Sequence, residues 1–194
     1  MKDMLSKVIA FDMQTGKAPI EDAQPLKRNL SGLKKIFSDQ DAAQMILSKD
    51  DPLVYEFYDL HMPEKEGDLA FGSSIVYPGK VGQEYYMTKG HFHTILDTAE
   101  VYYCLNGHGM MMMESPEGDV EYQEMKLGQA VYVPGRYAHR SINLSNTETL
   151  VTFFVFRADA GHNYGTVEER GFRKLVVADG DGYAVVDNPN WAGA

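Results

Sequence analysis

The sequence predicts an all-β fold, a closed barrel of short antiparallel strands carrying N-terminal extended arms and one short helix. Three observations lead there. From residue 53 onward, runs rich in β-branched and aromatic residues recur at short intervals, at 54–58, 73–77, 85–93, 100–105 and 151–157. Turn signals separate them: Pro78-Gly79, Asn106-Gly107-His108-Gly109, Pro116-Glu117-Gly118-Asp119 and Asp179-Gly180-Asp181-Gly182. Helical spacing is clear in one stretch, 38–48, where Ala42, Met45 and Ile46 share a face. Many short strands between turns close into a barrel or a sandwich.

In chain order, residues 1–32 hold scattered apolar positions broken by Gly16, Pro19, Pro25 and Gly32, and read as extended arms. Ser38 followed by Asp41 resembles a capping box for the helix, and Pro52 stops it. After the strands at 54–58, 73–77 and 85–93, the run 100–105 turns at Asn106-Gly107, and 110–113 is expected to return beside it as a hairpin partner. The four methionines there alternate faces and read as core filling. Segments 128–133 and 141–143 flank His139, and 175–177 with 183–186 form a closing hairpin. With no internal repeat and no linker, the chain reads as a single domain, residues 1–194: arm and helix to 52, barrel from 53 to 187, tail from 188 to 194.

The net charge of −10 disfavours nucleic acid and anionic membranes, which need clustered cations, but leaves room for a local anion pocket. A single cysteine, Cys104, forbids an intrachain disulfide and suits a reducing compartment. The N-terminus has no apolar run of signal-peptide length, and 150–156 is too short to span a bilayer. A cytoplasmic protein is expected.

The chemistry concentrates in residues 90–107. His91 and His93 are two apart, so on a strand their imidazoles share a face, and Glu100 follows. His139 arrives after Pro134 in the second block. Three imidazoles and a carboxylate make a mixed N/O site that suits one divalent ion, Fe(II), Mn(II), Ni(II), Zn(II) or Cu(II). Such a set leaves positions open for substrate or water, the mark of a catalytic site. Alternation puts Tyr102 on the face of Glu100, to hydrogen-bond the carboxylate or the substrate, or simply to fill the barrel. Thr88-Lys89-Gly90 offers a hydroxyl, a cation and an approachable N–H, the components of a phosphate site. Thr88 has the wrong parity relative to His91 and His93, so a bulge at Gly90 is needed to turn it inward. His162 and Tyr164 form a polar aromatic pair in a glycine-flanked loop, a functional signature. His108, at a hairpin tip, reads as exposed and inert.

These blocks resemble the paired motifs of the cupin superfamily, a jelly-roll β-barrel. His91, His93, Glu100 and Gly107 answer the first motif, although Tyr85 stands where its leading glycine is usual and the gap from His93 to Glu100 is longer than usual. Gly128, Pro134, His139 and Asn143 answer the second, with Gly135 one place early. The flanks narrow the resemblance. Lys65-Glu66-Gly67-Asp68-Leu69, Tyr77-Pro78-Gly79-Lys80-Val81-Gly82, Thr88-Lys89-Gly90-His91-Phe92-His93, Val131-Tyr132-Val133-Pro134 and Ala158 through Thr166 look like the cupin-type glucose-6-phosphate isomerases first known from archaea.

The resemblance implies interconversion of glucose 6-phosphate and fructose 6-phosphate with one divalent metal ion per subunit, Fe2+ foremost, in a homodimer. It implies that His91, His93, Glu100 and His139 hold the metal. Glu100, Tyr102 and His162 are the catalytic candidates, and Tyr55, Ser74, Thr88, Lys89, Gly90 and Tyr164 the substrate contacts. The family commonly has tyrosine where Phe156 stands, so a hydroxyl contact is missing here. Two routes fit: Glu100-assisted proton transfer through a cis-enediol, or a metal-assisted hydride shift. The alternatives are a mannose-6-phosphate isomerase, an Fe(II) dioxygenase, or a non-enzymatic sugar-binding cupin.

Overall fold

Two antiparallel sheets face each other across the core in the computed structural model, which describes residues 8–12, 15, 25–60, 63–191 and 193. The larger has six strands in the order Leu26–Asn29, Leu53–Asp59, Leu69–Val76, Leu150–Arg157, Glu100–Asn106 and Ala130–Val133. The second wall is a three-stranded sheet, Ala138–Asn143, His108–Glu114 and Val120–Lys126. It is extended by isolated bridges, Met87 to Ile142 and His91 to His139. Two smaller sheets close the ends: Phe92–His93 with His162–Asn163, and a four-stranded sheet containing the Lys174–Asp179 and Gly182–Asp187 hairpin. Neighbours distant in sequence, such as Leu69–Val76 beside Leu150–Arg157, give the crossed connections of a jelly roll. This is the cupin fold.

Met110, Met111, Met112 and Met113 are all buried, as are Met125, Cys104 and Leu150, although alternation sends the four in turn to opposite faces of their strand. The methionines do fill core, but the expected hairpin with 100–105 does not form. His108–Glu114 pairs instead with Ala138–Asn143 and Val120–Lys126. The chain leaves one sheet at Asn106 and joins the other at His108. Gly107 makes the crossing at φ +82°, where a Cβ would meet the Thr149 carbonyl oxygen at 2.4 Å. Period-2 patterning is the same for a hairpin return and a sheet crossing, which explains the error.

Other boundaries move for local reasons. The helix is Gln40–Leu47, capped by Asp39, whose side chain accepts from Ala42 N–H at 2.8 Å. Ser38 is therefore not the cap; its N–H and hydroxyl both donate to Glu84 Oε2 and tie the helix to the barrel. The N-terminal region is not wholly extended. Leu30–Leu33 is a helical turn continued by a 3₁₀ turn at Lys34–Ile36, with Leu30 and Leu33 buried. Residues 1–7, 13–14 and 16–24 of the expected arms lie outside the described residues. The run 85–93 is not one strand but two short pieces, Glu84–Tyr85 and Phe92–His93, joined through the bridges at Met87 and His91. A strand at Val120–Lys126 and a helix at Gly165–Arg170 were absent from the sequence reading. No helix among the described residues is long and apolar enough to cross a membrane.

Candidate metal centre and active site

His91 and His139 exchange main-chain hydrogen bonds, His91 N–H to the His139 carbonyl at 3.3 Å and the reverse at 3.1 Å. This bridge sets the two imidazoles side by side, with ring centroids 4.6 Å apart. His93 follows on the same face, 5.3 Å from His91 and 5.5 Å from His139. Glu100 opens its strand beside them, buried at 2% exposure. One donor atom from each of the four residues lies within 4.8 Å of the others.

The donor set tests whether a metal fits. Nδ1 of His93 lies 3.2 Å from the Thr98 carbonyl, and Nδ1 of His139 lies 3.2 Å from the Tyr137 carbonyl. A carbonyl accepts only, so each Nδ1 carries the hydrogen and each Nε2 presents a lone pair inward. Glu100 Oε2 lies 3.2 Å from His93 Nε2 and 3.0 Å from His139 Nε2. Yet Nε2 of all three histidines and Oε2 of Glu100 have no hydrogen-bond partner. Buried polar atoms are rarely left so, and four orphans aimed at one point fit a divalent cation.

The electrostatics agree. Burial, with His139 and His162 alongside, holds His91 well below its ordinary pKa, so its imidazole is neutral at physiological pH. Burial alone would raise Glu100, but the imidazoles of His139, His93 and His91 outweigh it and hold the carboxyl well below the usual range. Tyr102 is pushed well above the ordinary phenol value, first by burial and then by the charge of Glu100 and a hydrogen bond to it.

Around this cluster lies a cavity of about 70 Å³ whose walls include Tyr55, Ser74, Thr88, Lys89, Gly90, Tyr102, His162 and Tyr164. All the sequence-selected substrate contacts therefore meet there. The parity conflict at Thr88 is resolved at Gly90, whose φ of +82° reverses the facing of the chain. Thr88 Oγ1 accepts from Ser141 N–H at 3.0 Å, and Ser74 Oγ is buried without a partner. Tyr55 is raised to about 12, chiefly by burial. Lys89, on the cavity wall, is ion-paired with Glu168, and its ammonium sits 5.1 Å from the Tyr164 ring centroid.

His162 is delivered by the small ladder pairing it with His93. Its ring stands 4.4 Å from His91 and lies nearly parallel to Tyr164 at 5.8 Å. Packing and the neighbouring imidazoles lower its pKa. Within the gap between His93 and Glu100, Thr94 and Ile95 bind this loop: their N–H groups donate to the Gly161 and Ala160 carbonyls. Phe156 stacks on His93 at 5.2 Å and meets His162 edge-on at 5.4 Å. Together Phe156 and His162 separate the central cavity from an outer one of about 560 Å³.

Sequence reasoning missed Ser141, Phe57 and Phe154 on the cavity wall. Ser141 was findable, being two residues past His139 on one strand. It also missed Arg28, which pairs across from Tyr55 and acts electrostatically on Tyr55 and Tyr164. His108 is bonded to Glu124 at 2.8 Å and takes no part in the site.

A jelly roll with a buried three-histidine, one-glutamate cluster beside a hydroxyl-lined cavity defines a cupin with a candidate metal centre. A family model described as glucose-6-phosphate isomerase (GPI) matches residues 27–191, and the chain belongs to that family. It is 45% identical over 183 residues to the glucose-6-phosphate isomerase of Pyrococcus furiosus, covering 94% of this chain and 95% of that one. It is 47% identical over 181 residues to that of Thermococcus kodakarensis, covering 93% and 94%. A putative glucose-6-phosphate isomerase 1 of Rhizobium meliloti is 38% identical over 187 residues, covering 93% and 85%. Among solved structures, a Bacillus subtilis oxalate decarboxylase with Mn(II) centres overlaps 59% of this chain and 29% of its own, at 22% identity and a TM-score of 0.45. The chain is an isomerase of the cupin type.

Proposed function

We propose that the cluster holds one divalent ion, Fe2+ first and Mn2+, Ni2+ or Zn2+ as substitutes, and that the protein interconverts glucose 6-phosphate and fructose 6-phosphate by proton transfer through Glu100. The observation that carries this reading is the convergence of four buried, unpartnered donor atoms on a cavity edged by Thr88, Lys89 and Gly90.

When bound, the cation supplies Lewis-acid stabilisation of developing charge on the sugar oxygens. The protein's own groups do the rest. Ser74 and Thr88 O–H and Gly90 N–H donate to the phosphate oxygens, with Lys89 as the cation. Among the described residues Glu100 is the one carboxylate lining the cavity, so it is the group placed to take the C2 proton and return it to C1. Tyr102, whose hydroxyl acts on Glu100, is the group placed to orient that carboxylate. His162, neutral and at the mouth, exchanges a proton with the ring oxygen or the hydroxyl as the sugar opens.

Phe156 and His162 line both this cavity and the outer one, so substrate entering from the outer side meets these two side chains first. Outward-facing Tyr103 and Tyr132, both exposed on neighbouring strands, support a homodimer through this sheet.

Isomerisation in D2O tests the proton route. Deuterium entering C1 of fructose 6-phosphate, or C2 in the reverse direction, supports exchange through Glu100. Complete retention of the substrate hydrogen would establish a hydride shift instead. Assaying mannose 6-phosphate alongside glucose 6-phosphate separates the epimeric alternative.

A further inference from the structure

We propose that Arg140 is a positioning residue for the substrate phosphate: its buried guanidinium holds the Lys89–Gly90 peptide so that the Gly90 N–H faces the anion pocket. The proposal rests on the reading of Thr88, Lys89 and Gly90 as the phosphate-binding loop.

Arg140 lies between His139 and Ser141 on the strand Ala138–Asn143. Those two line the central cavity, and alternation sends Arg140 to the other side. There it is 2% exposed. The acidic groups that act on it, Glu84 and Glu114, are engaged by Ser38 and Arg173 instead. A buried guanidinium with no ion pair among the described residues is costly and calls for a reason.

Its contacts supply one. The guanidinium carbon stands 3.8 Å from the Phe172 ring centroid, and Nη1 lies 2.9 Å from the Met87 sulfur. Nη2 donates to the Lys89 carbonyl at 3.1 Å, while Nε has no partner. Among the described residues, that carbonyl is the single oxygen the side chain grips. Because the peptide is trans, the carbonyl of Lys89 and the N–H of Gly90 point in opposite directions. Drawing the carbonyl back to Arg140 turns the N–H forward to the cavity that Gly90 lines. Gly90 N–H has no protein acceptor among the described residues. A Cβ at Gly90 would come within 2.8 Å of the same Phe172 ring. Glycine, phenylalanine and arginine thus form one layer behind the loop, and the peptide N–H meets the phosphate as a charge-assisted donor.

Arg140→Lys keeps the charge but loses the planar fork that spans Met87 and Lys89 at once. Metal-loaded protein is assayed for KM with fructose 6-phosphate, kcat, and inhibition by inorganic phosphate. The expected result is about a tenfold rise in KM and in the phosphate inhibition constant, the loss of one hydrogen bond to a charged group, with kcat and metal content within twofold. Unchanged KM and phosphate inhibition, or a fall confined to kcat, would overturn the role. Lys89→Ala and Thr88→Val separate the two levels. If neither weakens phosphate inhibition, the loop is not the phosphate site and the underlying reading fails. If they do and Arg140→Lys does not, Arg140 alone is excluded. Should Arg140→Lys not fold, the 15N–1H resonance of Gly90 in zinc-loaded wild-type protein decides. Saturating inorganic phosphate is expected to move it downfield, and a stationary resonance refutes the proposal.

Discussion

His162 is held opposite His93 by a two-residue antiparallel ladder, so the loop that carries a candidate proton-transfer group is registered directly on a metal-ligand candidate. The pairing makes His162 separable from the ligand set, because its own ring is not among the four converging donors. His162→Asn keeps the ladder and removes the base. We expect kcat to fall about 10²-fold or more, the usual size for losing one acid–base group, with metal content unchanged by elemental analysis. Metal lost together with activity would make His162 a ligand instead.

Lys89 is ion-paired with Glu168, which on the proposed reading competes with the substrate phosphate for it. Their ion pair is partly exposed, with side-chain exposures of 21% and 50%, so it is worth at most about 1 kcal/mol. Glu168→Ala frees the ammonium, and KM for fructose 6-phosphate is expected to drop two- to threefold at unchanged kcat. A higher KM would show that Glu168 places Lys89 rather than occupying it.

Gly90 cannot carry a side chain without moving its neighbours. At φ +82°, a Cβ would stand 2.8 Å from Phe172 and 3.1 Å from the His139 carbonyl. Gly90→Ala is expected to destabilise the fold by about 1–3 kcal/mol, read as a lowered urea midpoint. It should also lower metal affinity, since His91 is the next residue. A wild-type midpoint would mean the loop is softer than its packing suggests.

Phe156→Tyr restores the hydroxyl that is common in the resembled family. Phe156 faces both cavities and stacks on His93. The added oxygen is expected to be tolerated, with thermal stability within a degree or two and KM altered less than threefold. A collapse in activity would show that the ring edge has no room for it.

Much of this site was legible because β alternation is a simple geometric rule. Two residues apart on one strand meant one face for His91 and His93, and likewise for Glu100 and Tyr102. The fold class followed from the turns and the β-branched runs. What failed was long-range. Nothing local distinguishes a hairpin return from a sheet crossing, so the methionine strand was given the wrong partner. The Gly165–Arg170 helix is six residues long, begins on a glycine and is closed by Gly171, and a periodicity test needs a longer window. Arg140 was passed over because its value lies in a contact with the Lys89 carbonyl, 51 positions away in sequence. Asp39 was overlooked as the cap because Ser38 beside it had the same chemistry, and only the Glu84 contact tells them apart.

The central claim is that His91, His93, Glu100 and His139 together hold one cation that isomerisation requires. The direct measurement is metal content per chain, with fructose 6-phosphate turnover before and after chelation, on wild type and His139→Ala. The account predicts about one divalent ion per wild-type chain, activity lost on stripping and recovered with Fe(II), Mn(II) or Ni(II), and neither ion nor recovery in His139→Ala. Full turnover by metal-free protein would contradict it.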